Sequence, residues 1–129
     1  MTDWTEVADG VWHARYQPID ISTVLVRGDG GLLLVDTRCN PREAAELAAD
    51  VEALNMGPIR WIVNTHAHYD HFFGNAVFAD AGVTEFWAHE NCAAEIDENG
   101  DSQRRSVGAA EFFGMPLRRV VILSTVVEI

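Results

Sequence analysis

The chain has 129 residues, 48% of them hydrophobic, and nine basic side chains stand against twenty acidic ones for a formal net charge of −11. That length holds one domain or part of one, and the apolar share suffices for a packed core, which excludes a disordered chain. The acidic balance disfavours nonspecific binding to nucleic acid or anionic membrane, although a bound cation reverses the sign locally and leaves a phosphate-bearing small molecule open as substrate.

Met1–Glu6 lacks the basic region and apolar core of a signal peptide. No apolar run approaches the roughly 18 residues of a transmembrane helix. Two cysteines, Cys39 and Cys92, are too few for a disulfide framework. A cytoplasmic protein is the expectation.

Val11–Tyr16 and Ile21–Val26 read as strands, punctuated by Gly10, by Gln17-Pro18 and by the turn Arg27–Gly31. His13 falls on the first, expected at a sheet edge, and an isolated histidine of this kind reads as structural. Leu32–Val35 is a short continuous apolar run, expected as the second arm of a hairpin buried on both faces. Asp36-Thr37 closes it, and a strand-ending aspartate commonly caps the next turn through its side-chain oxygens.

Asn40-Pro41-Arg42-Glu43 is a helix start, with Asn as N-cap, Pro at the first helical position and Glu three after the cap. Ala44, Leu47, Ala48, Val51 and Leu54 then recur on one face at helical spacing. Arg42, Glu46, Asp50 and Glu52 read as its solvated side, and Gly57-Pro58 as its stop. Cys39, in the loop before this helix, has no base beside it in sequence and reads as unreactive. The strand Ile59–Asn64 follows, and a strand–helix–strand crossover joins parallel strands.

The next stretch, Thr65–Asn75, carries three of the five histidines and an aspartate within six positions: His66, His68, Asp70 and His71. Imidazole and carboxylate are ligands of zinc and similar first-row ions. His66 and His68 are two apart, so in an extended segment both leave the same face and can grip one ion. Asp70 and His71 lie where the chain turns toward a helix, which suits a second ion. Two ions about 3.5–4 Å apart share a bridging water and lower its pKa toward about 7, giving a nucleophile at neutral pH.

Gly74 is expected to let the backbone turn tightly, and Asn75–Ala81 to form a short helix ending at Gly82. Tyr69, Phe72 and Phe73 flank the ligands as packing residues. Val83–Ala88 reads as a strand, His89 as a structural residue after it, Glu90–Ile96 as a helix, Asp97–Asp101 as a polar loop and Ser102–Phe113 as a second helix. Val120–Val127 is apolar and strongly β-forming, and as an unpaired edge it would invite association.

His66-Ala67-His68-Tyr69-Asp70-His71 has the form HxHxDH, and with Leu33-Leu34-Val35-Asp36-Thr37 it resembles the metallo-β-lactamase-fold hydrolases. The resemblance covers nearly the whole chain but only the N-terminal half of that family's domain. It implies an α/β (α+β) fold: the N-terminal half of an αββα sandwich, a mixed sheet with flanking helices. It implies His66 and His68 in a first metal site, Asp70 and His71 in a second, with Asp70 also orienting the nucleophilic water. It places Asp36 beside the site, where the expected role is to orient the His66–His71 loop by hydrogen bonding; plain turn capping is the competing reading.

The resemblance also implies a single, shortened domain over residues 1–129. The family's later ligands, two further histidines and a bridging aspartate, find no counterpart, because no histidine follows His89. At most two conventional ligands are left for each of two ions, or three to four for one shared ion, where catalytic zinc takes three plus water. The expected activity is a zinc-dependent hydrolase, with iron or manganese as alternative ions. A metal-bound hydroxide would attack an ester, thioester, amide or phosphodiester of a small molecule. A half-sandwich would expose one sheet face, so a homo-oligomer or a complementing chain is expected as partner, with no nucleic acid and no membrane. The competing class is a non-catalytic half-fold acting through association. A barrel amidohydrolase, which also carries an HxH pair after a strand, would need about 250 residues.

Overall fold

A computed structural model of the chain describes residues 2–107 and 125–126. In chain order the elements are β1 (Thr5–Ala8), β2 (Val11–Tyr16), β3 (Ile21–Gly28), β4 (Gly31–Val35), α1 (Pro41–Ala53), β5 (Ile59–Val63), α2 (Tyr69–Phe72), α3 (Asn75–Asp80), β6 (Glu85–Ala88), α4 (Glu90–Val107) and β7 (Thr125–Val126). The described strands form one mixed sheet in sequence order. β1 to β4 are an antiparallel meander, and β4, β5, β6 and β7 run parallel. The switch to parallel pairing falls where α1 supplies the crossover that parallel neighbours require. Of the apolar run 120–127, Thr125 and Val126 pair with Trp87 and Ala88; the rest lies outside the described residues.

α1 begins as its sequence dictates. The Asn40 side chain accepts the Glu43 N–H at 2.9 Å, with proline in the first turn. Its apolar stripe of Ala44, Leu47 and Val51 is buried against Leu25, Leu34, Ile62, Phe78 and Phe86. Each large side chain withdrawn there contributes about 1.5–3 kcal/mol. Asp50 is not solvated as its place in the sequence suggested. It is buried and accepts the Tyr16 hydroxyl at 2.8 Å, because that side chain, at the end of β2, reaches this side of the helix.

The register sorts the sheet into two apolar faces. One carries Leu25, Leu34, Ile62 and Phe86 under α1 and α3. The other carries Val24, Val35, Val63 and Trp87 in one row across four strands, and Val26, Leu33 and Trp61 in the next. These seven are only partly buried and belong to neither core cluster. Leu32 and Leu34 are therefore buried, while Leu33 and Val35 remain partly open, which corrects the expectation of a strand buried on both faces.

Three other expectations are corrected. β1 was not foreseen, and by pairing with β2 it makes His13's strand internal, with His13 against Ser22 Oγ at 3.0 Å. Asp97–Asp101 is not a loop but the middle of α4. Cys92, Ile96 and Gly100 recur every fourth residue on its buried side, and Asp97 and Glu98 lie outside. A single glycine inside a helix costs about 1 kcal/mol against alanine, which one packed face offsets. Gly74 has an ordinary helical backbone, φ −84°. It is glycine because an added Cβ would stand 2.0 Å from the Thr37 carbonyl oxygen.

Candidate metal centre

The C-terminal ends of parallel strands are where an open α/β sheet gathers its chemistry. Here Asp36 follows β4, Thr65 and His66 follow β5, and His89 follows β6. The backbone ties these ends together: Asp36 N–H donates to the Val63 carbonyl at 2.8 Å and Asn64 N–H to the Trp87 carbonyl at 2.9 Å.

Asp36 is buried and adopts a left-handed backbone, φ 65°. That conformation costs a non-glycine residue energy and persists only where surrounding contacts enforce it. Its carboxylate provides those contacts. Oδ1 accepts the Thr65 backbone N–H at 2.8 Å, and Oδ2 accepts the Thr65 hydroxyl at 2.7 Å and the His71 Nδ1–H at 2.6 Å. One carboxylate thereby holds both ends of the His66–His71 segment.

Beneath the loop lies a buried polar pedestal. The His71 carbonyl accepts from Thr37 N–H at 2.9 Å and from Asn64 Nδ2 at 3.2 Å, and the Thr37 hydroxyl oxygen lies 3.3 Å from it. Asn64 and Asn75, both fully buried, exchange amide hydrogen bonds of 2.7 and 3.1 Å, and the Thr37 hydroxyl also reaches Asn75 Oδ1 at 2.8 Å. Satisfied networks of this kind fix one conformation. Phe72 and Phe73, both buried, anchor the turn from the apolar side against Cys92 and Ile96 of α4. From α4, Gln103 Nε2 donates to the Ala67 carbonyl at 2.7 Å.

On this base the four sequence-predicted ligands sit side by side. The His66 ring lies 4.0 Å from the His71 ring and 4.7 Å from that of His68, centroid to centroid. His71 Nε2 is 3.3 Å from Asp70 Oδ2. His66 and His68 are exposed; Asp70 and His71 are half-buried. Hydrogen bonding to Asp36 raises the His71 pKa, against the opposing effect of burial. Desolvation, then the neighbouring His71 and His68, lowers that of His66.

The donor set is of the borderline nitrogen and oxygen type that zinc takes. His71 is arranged as metal-binding histidines are, with Nδ1 on the Asp36 carboxylate, while Nε2 faces the Asp70 carboxylate at 3.3 Å. Among the described residues, however, no three His, Cys, Asp or Glu side chains converge on a ready-made ion position. His13 is held by Ser22, and His89 Nδ1 accepts the Asn91 N–H at 3.1 Å where α4 begins. Cys39 and Cys92 are buried thiols. Burial, then Glu43, raises the pKa of the first, and burial that of the second, so neither is an activated nucleophile.

Thr37, Asn64, Thr65, Asn75 and Gln103 were not singled out from the sequence. Asn64 and Thr65 could have been found as polar residues between a buried strand and the ligand cluster. Nothing local marks Gln103, whose contact with Ala67 spans 36 positions. The loop and α4 together border a cleft of about 690 Å³ lined by His66, Ala67, His68, Glu95, Asn99 and Gln103, among others. A second cleft, of about 460 Å³, lies by Val51, Pro58 and Phe78, near the start of β5 and away from the histidines.

The model of the metallo-beta-lactamase superfamily matches residues 16–127 of the chain. Among solved structures, the metallo-beta-lactamase FIM-1 from Pseudomonas aeruginosa, in its mono-zinc form, is similar with a TM-score of 0.67 at 24% identity, over 77% of this chain and 46% of that one. The metallo-beta-lactamase of Erythrobacter litoralis, solved with beta mercaptoethanol in its active site, gives 0.66 at 27% identity, over 77% and 46%. That of Pontibacter korlensis gives 0.69 at 22% identity, over 78% and 49%. The chain spans about half the length of these structures, and the sheet with its flanking helices matches the N-terminal part of their fold. No described helix is long and apolar enough to cross a membrane.

Proposed function

Because the chain belongs to the metallo-beta-lactamase superfamily, we propose that it is a metal-dependent hydrolase whose centre is built on His66, His68, Asp70 and His71. Zinc, as one or two ions, is the proposed metal, with iron and manganese as competitors for the same nitrogen and oxygen donors. A bound divalent ion supplies Lewis-acid polarisation of the scissile group and a water acidic enough to attack at neutral pH. The chain's own residues do the rest. Asp36 fixes His71 through Nδ1 so that Nε2 is turned toward Asp70, 3.3 Å away, where the two would share an ion and Asp70 would orient the attacking water. The cleft beside α4 receives a small-molecule ester, thioester, amide or phosphodiester. A cytoplasmic setting accords with two free thiols.

The observation that carries this reading is the 2.6 Å contact between Asp36 and His71, the carboxylate–histidine pairing that orients metal ligands. The test is zinc content after equilibrium dialysis, for the wild type and for His66→Ala, His68→Ala and Asp70→Ala. Stoichiometric zinc in the wild type, lost in each variant, is expected. Equal zinc in all four proteins would overturn the assignment.

The partly buried apolar rows of Val24, Val26, Leu33, Val35, Trp61, Val63 and Trp87 favour an assembly as the working form, since apolar surface left open to water drives association. We propose that a second copy or a complementing chain covers it and brings further ligands to the loop. Association without metal is the competing, non-catalytic reading. Mass in solution measured with metal content separates them: a zinc-loaded assembly supports the enzyme, and a zinc-free assembly supports the binding module.

A further inference from the structure

We propose that Thr65 is a positioning residue: its hydroxyl, between Asp36 and His66, holds the His66 imidazole in its Nδ1–H tautomer and so frees Nε2 for a ligand. The inference rests on the metal-centre reading for its use, but not for its chemistry. Thr65 Oγ1 lies 2.7 Å from Asp36 Oδ2 and 2.9 Å from His66 Nδ1.

A hydroxyl has one proton to give and two lone pairs to receive with, whereas a carboxylate only receives. Asp36 Oδ2 has no proton to offer across its 2.7 Å contact with Thr65 Oγ1, so the Thr65 proton goes to that oxygen, beside the His71 Nδ1–H it also accepts. Were it turned to His66, two sets of lone pairs would face each other across 2.7 Å, beside a carboxylate buried to 3% exposure. The hydroxyl therefore meets His66 as an acceptor, and His66 Nδ1 must carry the hydrogen.

Asp36 thus sets two imidazoles at once, His71 directly and His66 through one hydroxyl. A free imidazole in water favours the opposite, Nε2–H form, so the arrangement leaves a readable mark. The Thr65 backbone N–H bonds Asp36 Oδ1 independently at 2.8 Å. Thr65→Val therefore removes the relay while leaving a second tie between loop and carboxylate, and Thr65→Ser controls for any loss of folding.

The experiment is ¹⁵N NMR of the histidine ring nitrogens in the metal-free full chain at about pH 8, above the ordinary imidazole range. In the wild type, His66 is expected to show a protonated Nδ1 and an unprotonated Nε2. In Thr65→Val it should move toward the Nε2–H form, with His71 unchanged, and Thr65→Ser should restore the wild-type pattern. Zinc affinity, read by chelator competition, should fall about tenfold in Thr65→Val and recover in Thr65→Ser. A wild-type His66 in the Nε2–H form, or the same His66 tautomer in Thr65→Val, overturns the proposal. Unchanged zinc affinity in a Thr65→Val chain whose tautomer has moved overturns the use assigned to the relay. If the tautomers move as expected but the wild type takes up no zinc, the relay stands and the metal-centre reading falls.

Discussion

The Asp36 carboxylate and the His71 imidazole meet at 2.6 Å across 35 positions of sequence. They join the end of β4 to the short helical turn that follows β5. The contact sets the loop's shape, one ring's tautomer and the sign of one pKa shift, and the first two predictions follow from it.

Asp36→Ala deprives the Thr65 N–H, the Thr65 hydroxyl and the His71 Nδ1–H of their shared acceptor. Water reaches some of these groups, so the expected loss of stability is about 2 kcal/mol rather than the full cost of three stranded donors. Zinc affinity should fall about 10- to 100-fold. Urea denaturation and chelator competition measure the two effects, and an affinity equal to wild type would remove Asp36 from the site.

The contributions of the two shifted histidines to the stability of the metal-free protein should together be greatest near the ordinary imidazole pKa of 6.5. His71 titrates higher in the folded state than in the unfolded one, so its contribution is complete below about pH 6.5 and is lost as pH rises through the folded value. His66 titrates lower when folded, so the unfolded chain takes up its proton first and stability falls as pH drops below about 6.5. Denaturation midpoints between about pH 5.5 and 8 should show both limbs. His71→Gln should flatten the alkaline limb and His66→Gln the acid one; limbs that persist unchanged would assign the pH dependence to other groups.

Gly74→Ala should be among the most damaging small changes available. The new methyl carbon would stand 2.0 Å from the Thr37 carbonyl oxygen and 2.6 Å from the Ala44 Cβ. A backbone atom cannot move aside without displacing Thr37 N–H from the His71 carbonyl. A loss of about 3 kcal/mol or more is expected in chemical denaturation; a loss under about 1 kcal/mol would mean that the pedestal tolerates movement.

Asn75→Ala leaves the Asn64 amide and the Thr37 hydroxyl without their mutual partner in a fully buried site. The expected cost is about 2–4 kcal/mol, from stranded polar groups together with the space left behind. Hydrogen exchange at the His66–His71 amides should rise with it. Exchange equal to wild type would separate the pedestal from the loop above it.

Much of the fold was legible because it rests on local patterns. Asn40-Pro41 followed by apolar residues at helical spacing gave α1, with its cap hydrogen bond in place. Val11–Tyr16 matches β2 residue for residue, and the apolar runs at Leu32 and Ile59 lie in the parallel pair β4 and β5. β1 escaped because Thr5–Ala8 is exposed throughout and carries no apolar alternation. Asp97–Asp101 misled because its turn-like composition described only the outward face of a helix whose inward face is packed.

Which atoms can act is written in the order of residues: three imidazoles and a carboxylate within six positions after a strand, a spacing whose chemistry is local and depends on residue type. That order also brought Asp36 into view as the end of the neighbouring strand. How those atoms are held follows from contacts made across the folded chain. Thr65 stands between Asp36 and His66, Asn64 faces Asn75, and Gly74 lies against Thr37. Such contacts arise when distant strand ends are brought into register, and hydrogen-bond direction is fixed by where the partner lies, which no periodicity along one chain encodes.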